Sequence, residues 1–493
     1  MSLQVFLQAQ LLGSESFLSS SFYGPDPFAE LLGRCGWLSL ICEVLPRALL
    51  AEMKLSRMLL GSSGGEQFLL VLTDNSIAAA NEFLTRAAGA LSQISGGKLQ
   101  LVWASTENLG PWPIVRKRLD EEMRERTAAP LAAANAVTDC FVPSEPSEPA
   151  ENAGYFAEFG EKLVAAGQIG WSPDHPARIE CDGGVFTWPL RDQMSPDEDG
   201  IVYPRRFAGN DEQERASLQE VARTADGVPR WAILRGDVDH FEARLRQANS
   251  VEEHIQLSVL FKEFFAGELA LLCTLPEFWR RVSILYRGGD DFAVIGAWDA
   301  LVALAREMQR VFEKFAAQNL QSFAGVEGKT ISMALAIAPS LDASPIALFE
   351  EAGQQLQSAK ATELGTFHLF GRSLEWKRLA DAEELKNELL RLINDFGQSA
   401  DFIHDLASVY REAYSAQATR RAKAIRVDKP WRTYMRLSQV IPASRGPASR
   451  VREWNTLRNS LIANLVGKKT ANLKLRPSGR VGLEWARLAA GNE

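Results

Sequence analysis

Asp237-Val238-Asp239, followed about fifty residues later by Gly288-Gly289-Asp290-Asp291, is the combination in this chain best suited to chemistry. A polyphosphate leaving group carries dense negative charge, and carboxylates can oppose it only through bound cations. Aspartates brought together from two strand ends are therefore what a two-metal phosphoryl-transfer site needs. If the strands bearing them pair side by side, Asp237 and Asp290 converge. Mg²⁺ is then held by carboxylates together with substrate phosphates and water. The plainer alternative is a surface hairpin with an acidic turn, against which the upstream Asp-x-Asp at a strand end speaks.

The elements around these residues have the pattern such a site requires. Trp231-Ala232-Ile233-Leu234 is a short apolar run that reads as a strand delivering Asp237 to its C-terminal end. Ile284-Leu285-Tyr286 and Phe292-Ala293-Val294-Ile295 flank the glycine pair, which predicts a hairpin whose glycines supply positive φ. Around them, residues 229–376 read as strand, long helix, strand, glycine turn, strand, helix, strand. Residues 1–125 repeat that outline. A helix runs through Leu38, Ile41, Leu45 and Leu49; Met58-Leu59-Leu60 and Phe68–Leu72 are strands; Gly61 to Gly65 is the turn. A helix from Ala78 to Leu91 and a strand from Leu99 to Trp103 follow. Gly64-Gly65-Glu66-Gln67 then occupies the place of Gly288-Gly289-Asp290-Asp291, so two diverged copies of one α+β fold are expected. Between them, residues 126–228 form an alanine-, proline- and serine-rich linker and a small insert, with short strands near Ala177–Ile179 and Gly184–Trp188. Residues 377–493 read as a helical C-terminal domain with Leu385, Leu389 and Leu392 on one stripe.

Composition sets outer limits. The chain has 493 residues, 46% hydrophobic and 24% charged, the profile of an ordinary globular protein with several domains. No stretch is apolar enough to span a bilayer, and Met1–Phe6 lacks a signal peptide's basic flank, so a cytoplasmic location without membrane attachment is expected. The five cysteines, Cys35, Cys42, Cys140, Cys181 and Cys273, never form a CxxC pair, and no zinc is expected. The net charge of −8 conceals a basic C-terminal end. Arg426, Lys429, Arg432 and Arg436, interleaved with Trp431 and Tyr434, suit contacts to nucleic acid or to an acidic neighbouring subunit. A solvated helical face is the alternative.

In order and surroundings these residues resemble the large polymerase subunit of type III CRISPR effector complexes, of the Csm type. Leu234-Arg235-Gly236-Asp237-Val238-Asp239, Leu257-Ser258 with Phe264-Phe265, and Tyr286-Arg287-Gly288-Gly289-Asp290-Asp291 running on to Trp298-Asp299 carry the resemblance. Thr330-Ile331-Ser332, Ser358-Ala359-Lys360, Phe370-Gly371 and Pro430-Trp431-Arg432 extend it. Leu32-Gly33-Arg34 and Ser63-Gly64-Gly65 do so in the first unit. The resemblance covers most of the chain and is most specific in residues 229–376. It implies two ferredoxin-like palm domains of the nucleotidyl cyclase type, the first degenerate. It also implies target-RNA-activated polymerisation of ATP into cyclic oligoadenylate messengers with Mg²⁺ or Mn²⁺.

Carried over residue by residue, Asp237 and Asp290 are metal ligands, assisted by the Val238 carbonyl. Asp291 is a further ligand or helps deprotonate the attacking hydroxyl, and Lys360 meets the triphosphate as a point charge. Gly288, Gly289, Ser258, Asp239, Ser63, Gly64 and Gly65 are nucleotide contacts on the same basis. Asp239 can alternatively cap the following helix, and Ser258 can satisfy its own helix. The implied partners are guide RNA, target RNA, and the backbone and small subunits of the effector complex.

The chain departs from that family in three respects. Its first histidine is His175, so the histidine-rich N-terminal nuclease of many members is expected to be absent. His404-Asp405 stands alone in the helical end and reads as structural. Cys140 and Cys181 cannot make the four-ligand zinc site often found between the palms, and Leu3–Leu7 lacks the acidic residue of a catalytic first strand. Such a first palm would serve as a second nucleotide platform. Two other readings stay open: a catalytically silent scaffold holding RNA and partner subunits, and a diguanylate cyclase, whose signature differs from Gly288–Asp291 by one carboxylate length.

Overall fold

Two sheets that share a four-strand antiparallel core of the same order make the body of the protein, seen in a computed structural model. It describes residues 3–22, 24–133, 154–192, 199–209, 214–408, 435, 439–441, 448–466 and 477–491. The first sheet comprises β1 (Gln4–Leu12), β2 (Leu60–Gly64), β3 (Gln67–Thr73) and β4 (Gln100–Glu107) in the order β2-β3-β1-β4. β1 leads through the short α1 (Ser14–Leu18) into α2 (Pro27–Glu52), and α3 (Ile77–Ile94) joins β3 to β4. α4 (Trp112–Ala133) then lies across the sheet face bearing Phe6, Leu69 and Val102.

α2 begins at Pro27, well before the predicted stretch through Leu38, because Asp26 caps it through Phe28 N–H and Ala29 N–H and Pro27 presets its first turn. It is buried on nearly every face. That is why the sequence shows a run of apolar residues there and no clean stripe. Gly61 to Gly64 belong to β2, leaving only Gly65-Glu66 in the turn, so the predicted five-residue loop is a tight hairpin. α4 carries too little apolar periodicity for the sequence to have announced it.

The insert holds α5 (Tyr155–Leu163) and a small sheet of β5 (Gln168–Trp171), β6 (Glu180–Cys181), β7 (Phe186–Arg191) and β8 (Ile201–Val202), ordered β6-β5-β7-β8. The predicted Ala177–Ile179 strand falls just past that run, at β6. Trp171, Trp188 and Phe159 of the insert join the apolar cluster around α2. α6 (Leu218–Arg223), closed by a Ser217–Glu220 capping box, leads to the second sheet.

β9 (Trp231–Val238), β10 (Val282–Arg287), β11 (Asp291–Ala297) and β12 (Ile331–Ile337) repeat the first sheet's order as β10-β11-β9-β12, extended by β13 (Thr366–Leu369) and β14 (Arg372–Glu375). α7 (Phe241–Arg246) and α8 (Val251–Phe264) follow β9. α9 (Trp298–Asn319) joins β11 to β12, and α10 (Pro345–Thr362) follows β12. One face of this sheet, through Ile233, Ala293 and Ile295, packs into the α2 cluster; the other, through Leu234, Phe292 and Val294, packs on α8 and α9. In exchange, α8 reaches the first unit, where Ile255 packs with Phe6 and Leu69. Each unit thus lends a helix to the other.

α11 (Trp376–Asn394), α12 (Ala448–Val466) and α13 (Pro477–Ala489) close the described part of the chain, with Leu385, Leu389, Trp454 and Leu461 in one cluster. Val481 and Trp485 of α13 pack into the second unit's core. No helix among the described residues is long and apolar enough to cross a membrane.

Candidate active site

β9 and β11 pair antiparallel with Asp237 directly opposite Asp291, and the Val238 N–H donates to the Asp290 carbonyl at 3.0 Å. The β-ladder therefore brings all three aspartates to one end of the sheet. They open into a cavity of about 400 Å³ that the first unit completes with Gln10, Gly64, Gly65, Glu66 and Gln67. Lys360, near the C-terminus of α10, places its ammonium 2.5 Å from Asp237 Oδ1 and 3.4 Å from the Val238 carbonyl.

Five carboxylates (Glu66, Asp237, Glu242, Asp290 and Asp291) and one lysine line this cavity. Burial pushes the carboxyls of Asp290 and Asp291 well above the usual carboxylate range, and their negative neighbours push them further. Burial also raises Asp237, although Lys360 opposes the rise. On the first unit's side burial raises Glu66, which accepts a hydrogen bond from Ser14. Clustered oxygen donors short of positive charge are the set that hard divalent cations take. The residues fit such an ion in kind. In the present geometry, however, no three His, Cys, Asp or Glu side chains among the described residues are gathered closely enough to hold one, and Lys360 occupies Asp237.

Of the two glycines, Gly288 acts by making room. Neither Gly288 nor Gly289 adopts the positive φ predicted for them. A Cβ at Gly288 would lie 1.9 Å from Asp291 Oδ1 and 2.7 Å from the Tyr286 hydroxyl, so any side chain there would displace Asp291.

Asp239 is a correction. It is 1% exposed and accepts hydrogen bonds from Thr330 at 2.7 Å, Ser332 at 2.8 Å and the Gly365 N–H at 2.8 Å. It lies just past the end of β9, where those three donors take up its carboxylate; it does not line the cavity and caps no helix. Ser258 is half-buried on α8 and does not line the cavity. Ser63 does not line it either: its hydroxyl donates to Glu43 at 2.8 Å and its carbonyl accepts from Lys262 at 3.0 Å. Gly64 and Gly65 do line it. Arg426, Lys429, Arg432 and Arg436 lie outside the described residues, as does Cys140. Cys35, Cys42 and Cys273 are buried thiols. His404 is half-buried and Asp405 exposed.

Sequence reasoning missed two ionic struts beneath the site. Lys262 of α8 pairs with Glu43 of α2, which also holds Arg47 at 2.8 Å. Burial opposes ionisation of Glu43, but Lys262, Arg47 and the Ser63 hydroxyl together outweigh it and pull its pKa down to about 2. Arg235, two residues before Asp237, makes a two-point pair with Glu15 of α1 and lies over the Phe349 ring. Both struts join side chains more than two hundred residues apart, so no local pattern announces them.

Residues 230–364 match the family described as Cas10/Cmr2, second palm domain. The chain carries a Cas10/Cmr2 second palm domain. Among the relatives it is similar to are proteins named CRISPR system single-strand-specific deoxyribonuclease Cas10/Csm1 (subtype III-A). That of Enterococcus italicus is 30% identical over 122 residues, 24% of this chain and 16% of the relative. That of Streptococcus thermophilus is 25% identical over 202 residues, 39% of this chain and 25% of the relative. The aligned stretches thus span a quarter or less of these relatives' lengths. In structure the similarity extends further. The Csm1–Csm4 subcomplex of the type III-A CRISPR-Csm interference complex superposes with a TM-score of 0.71 at 15% identity, over 99% of this chain and 70% of that one. A Csm1–Csm4 cassette in complex with one ATP gives 0.67 at 17% identity, over 94% and 70%. The Cas10/Cmr2 palm fold is therefore shared well beyond the matched segment, and both palm-type sheets have counterparts in the Csm1–Csm4 structures.

Proposed function

We propose that this chain is the nucleotide-polymerising subunit of a type III CRISPR effector and joins ATP into oligoadenylates. The observation that carries the reading is the register of β9 and β11. It sets Asp237 opposite Asp291, with Asp290 in the adjoining turn, in a cavity that a second, carboxylate-poor palm closes. Csm1–Csm4 cassettes described with ATP, AMPPNP, pppApA, cA3 and cA4 have the same fold, and their ligands make adenylate chains the substrate and product class to test first.

In this reading Asp237, Asp290, Asp291 and the Val238 carbonyl hold Mg²⁺ or Mn²⁺. When bound, the ion neutralises phosphate charge and favours ionisation of the attacking hydroxyl. Asp291 is a further ligand or receives the proton of a ribose hydroxyl as that oxygen attacks the α-phosphorus and pyrophosphate leaves. Lys360 moves from Asp237 to the departing phosphates. The first palm, with Gln10 and Gln67 at the positions of Asp237 and Asp291, orients the second nucleotide without competing for metal. Csm4-like and other backbone and small subunits, guide RNA and target RNA are the proposed partners. The basic C-terminal end supplies phosphate contacts.

Labelled ATP and GTP should be incubated with the assembled complex, with and without target RNA. RNA-dependent oligoadenylate is the expected product. A GTP-derived cyclic dinucleotide would indicate the cyclase reading, and no product from either nucleotide would indicate a scaffold. Single-stranded DNA incubated with this chain and Mn²⁺ should remain intact; cleavage abolished by a substitution in this chain would contradict that expectation.

A further inference from the structure

A second cavity, of about 340 Å³, lies at the end of the second sheet opposite the aspartates. Its walls are Arg230 just before β9, the end of β12, Glu351 and Gln355 of α10, and Arg480, Glu484 and Arg487 of α13. Trp231 begins β9 and Asp237 nearly ends it, so about 20 Å of strand separates the two cavities. Their charges are opposite in kind. The first sets five carboxylates against one lysine; this one sets three guanidinium groups against two carboxylates.

Arg480 is the anomaly. It is half-buried, its Nε is covered without an acceptor, and it makes no ion pair or ring contact among the described residues. Glu484 does not serve it, being held by Arg487 Nε at 2.9 Å. Gln355 is the complement: its Nε2 donates to Glu351 at 2.8 Å, and its Oε1 is buried without a donor. That assignment is fixed, because a carboxylate only accepts and the amide's NH₂ is the end able to face it. One wall of the cavity thus lacks an acceptor and another lacks a donor, which buried polar groups rarely tolerate. The tip of the β13–β14 hairpin adds strain at the same place. Its two turn residues, Phe370 and Gly371, have φ of 50° and 72°, costly for a phenylalanine. A Cβ on Gly371 would lie 3.4 Å from Arg480 Nη2, so the guanidinium rests against bare backbone.

We propose that this cavity binds a small oxyanion that carries a proton of its own, hydrogen phosphate or diphosphate. Guanidinium groups meet oxyanions through paired N–H donors, and Arg480 and Arg487 stand two turns apart on one face of α13. Sulfate, carboxylates and the diester groups of a nucleic-acid backbone bring acceptors only, and leave Gln355 Oε1 unmet. The P–OH of hydrogen phosphate donates to that oxygen while its other oxygens accept from Arg480. Diphosphate also keeps a proton near neutral pH, and it is the group released in the reaction proposed above. That source alone rests on the polymerase reading; the site itself does not.

Calorimetric titration of the full chain with inorganic phosphate, diphosphate and sulfate, in EDTA near neutral pH, tests this. Without metal the carboxylate cavity repels anions and contributes no binding. One phosphate or diphosphate should bind per chain, and sulfate roughly tenfold more weakly or worse, the scale of one buried hydrogen bond left unmade. Gln355→Leu should bring phosphate down to the level of sulfate. Arg480→Gln should weaken all three anions by about tenfold or more. Diphosphate binding more tightly than phosphate would name the released group as the ligand, and the reverse order would name free phosphate. Absence of saturable binding would leave the cavity to water and overturn the proposal. Sulfate binding as tightly as phosphate would overturn it too. So would binding that Arg480→Gln leaves intact, which would place the anion elsewhere on the chain. The comparison of phosphate with sulfate on the parent needs neither substitution nor catalysis. It therefore decides the matter even if a variant does not fold or the polymerase reading fails.

Discussion

The two glycine hairpins that face each other across the cavity agree in topology and disagree in chemistry. In the first, Gln10 lies opposite Gln67 and the Leu11 N–H donates to the Glu66 carbonyl at 2.7 Å. In the second, Asp237 lies opposite Asp291 and the Val238 N–H donates to the Asp290 carbonyl at 3.0 Å. The backbone pattern is the same bond for bond; two carboxylates have become amides, and the third is a glutamate. The turns differ too. Gly64 and Gly65 have φ of 118° and 60°, whereas the second hairpin's glycines avoid the left-handed region. The hairpins approach closely, since a Cβ on Gly65 would lie 3.0 Å from the Gly289 nitrogen. A shared fold thus sets where the site lies, and the second hairpin gathers three aspartates where the first has two glutamines and a glutamate.

The sharpest way to break this comparison is to remove the charge. Replacing Asp290 and Asp291 together by alanine should lower oligoadenylate synthesis by about 1,000-fold or more while the complex still assembles, because the metal-binding electrostatics vanish and the fold does not depend on them. Glu66→Gln, the matching change in the first hairpin, should cost less than about tenfold on the same basis. Equal losses in a labelled-ATP assay would mean that the first hairpin also takes part in the chemistry.

Next in size is the strut between the halves. Lys262→Met leaves Glu43 charged, buried and short of a partner, and should destabilise the chain by about 3–5 kcal/mol. Adding Glu43→Gln should recover much of that loss, which paired denaturant titrations of single and double variants would measure. The Glu43 carboxyl is depressed to about 2 against an ordinary 4.5. Its contribution is therefore present above the ordinary value and disappears as pH falls towards 2.

A smaller effect separates the halves by pH. Raised carboxyls at Asp237, Asp290 and Asp291 mean that the native state keeps protons the unfolded chain has already released. Stability of the metal-free protein should then fall as pH climbs from the ordinary aspartate range through the raised values. Mg²⁺ should restore it, with a gain in Tm that grows over the same window. Asp290→Asn with Asp291→Asn should flatten that gain, and Glu66→Gln should change it little. Thermal melts from pH 5 to 8 with and without Mg²⁺ would show a pH-independent gain if these aspartates do not hold the ion.

Much of this was legible in the sequence because it is local. Trp231–Leu234 and Phe292–Ile295 are continuous apolar runs, as strands buried on both faces must be, and the internal repeat followed from the order of such runs. α4 and β5 were not legible. The helix shows no stripe, and the four-residue strand has only its tryptophan and isoleucine to mark it. Asp239 shows the limit within the motif itself: it lies two residues from Asp237 and has the same chemistry, yet Thr330, Ser332 and Gly365 claim it from strands and turns that the motif cannot see.

The sequence by itself determined the carboxylates, the Gly288 that leaves Asp291 room and the duplication that supplies a second hairpin. These depend on residue type and short spacing. Only the tertiary structure decided that the two hairpins share one cavity, that Lys360 rests on Asp237, and that Lys262 and Arg235 are tied to the other half. Each of those is a contact between residues more than fifty positions apart, and its energy comes from burial and charge that exist only once the halves have packed.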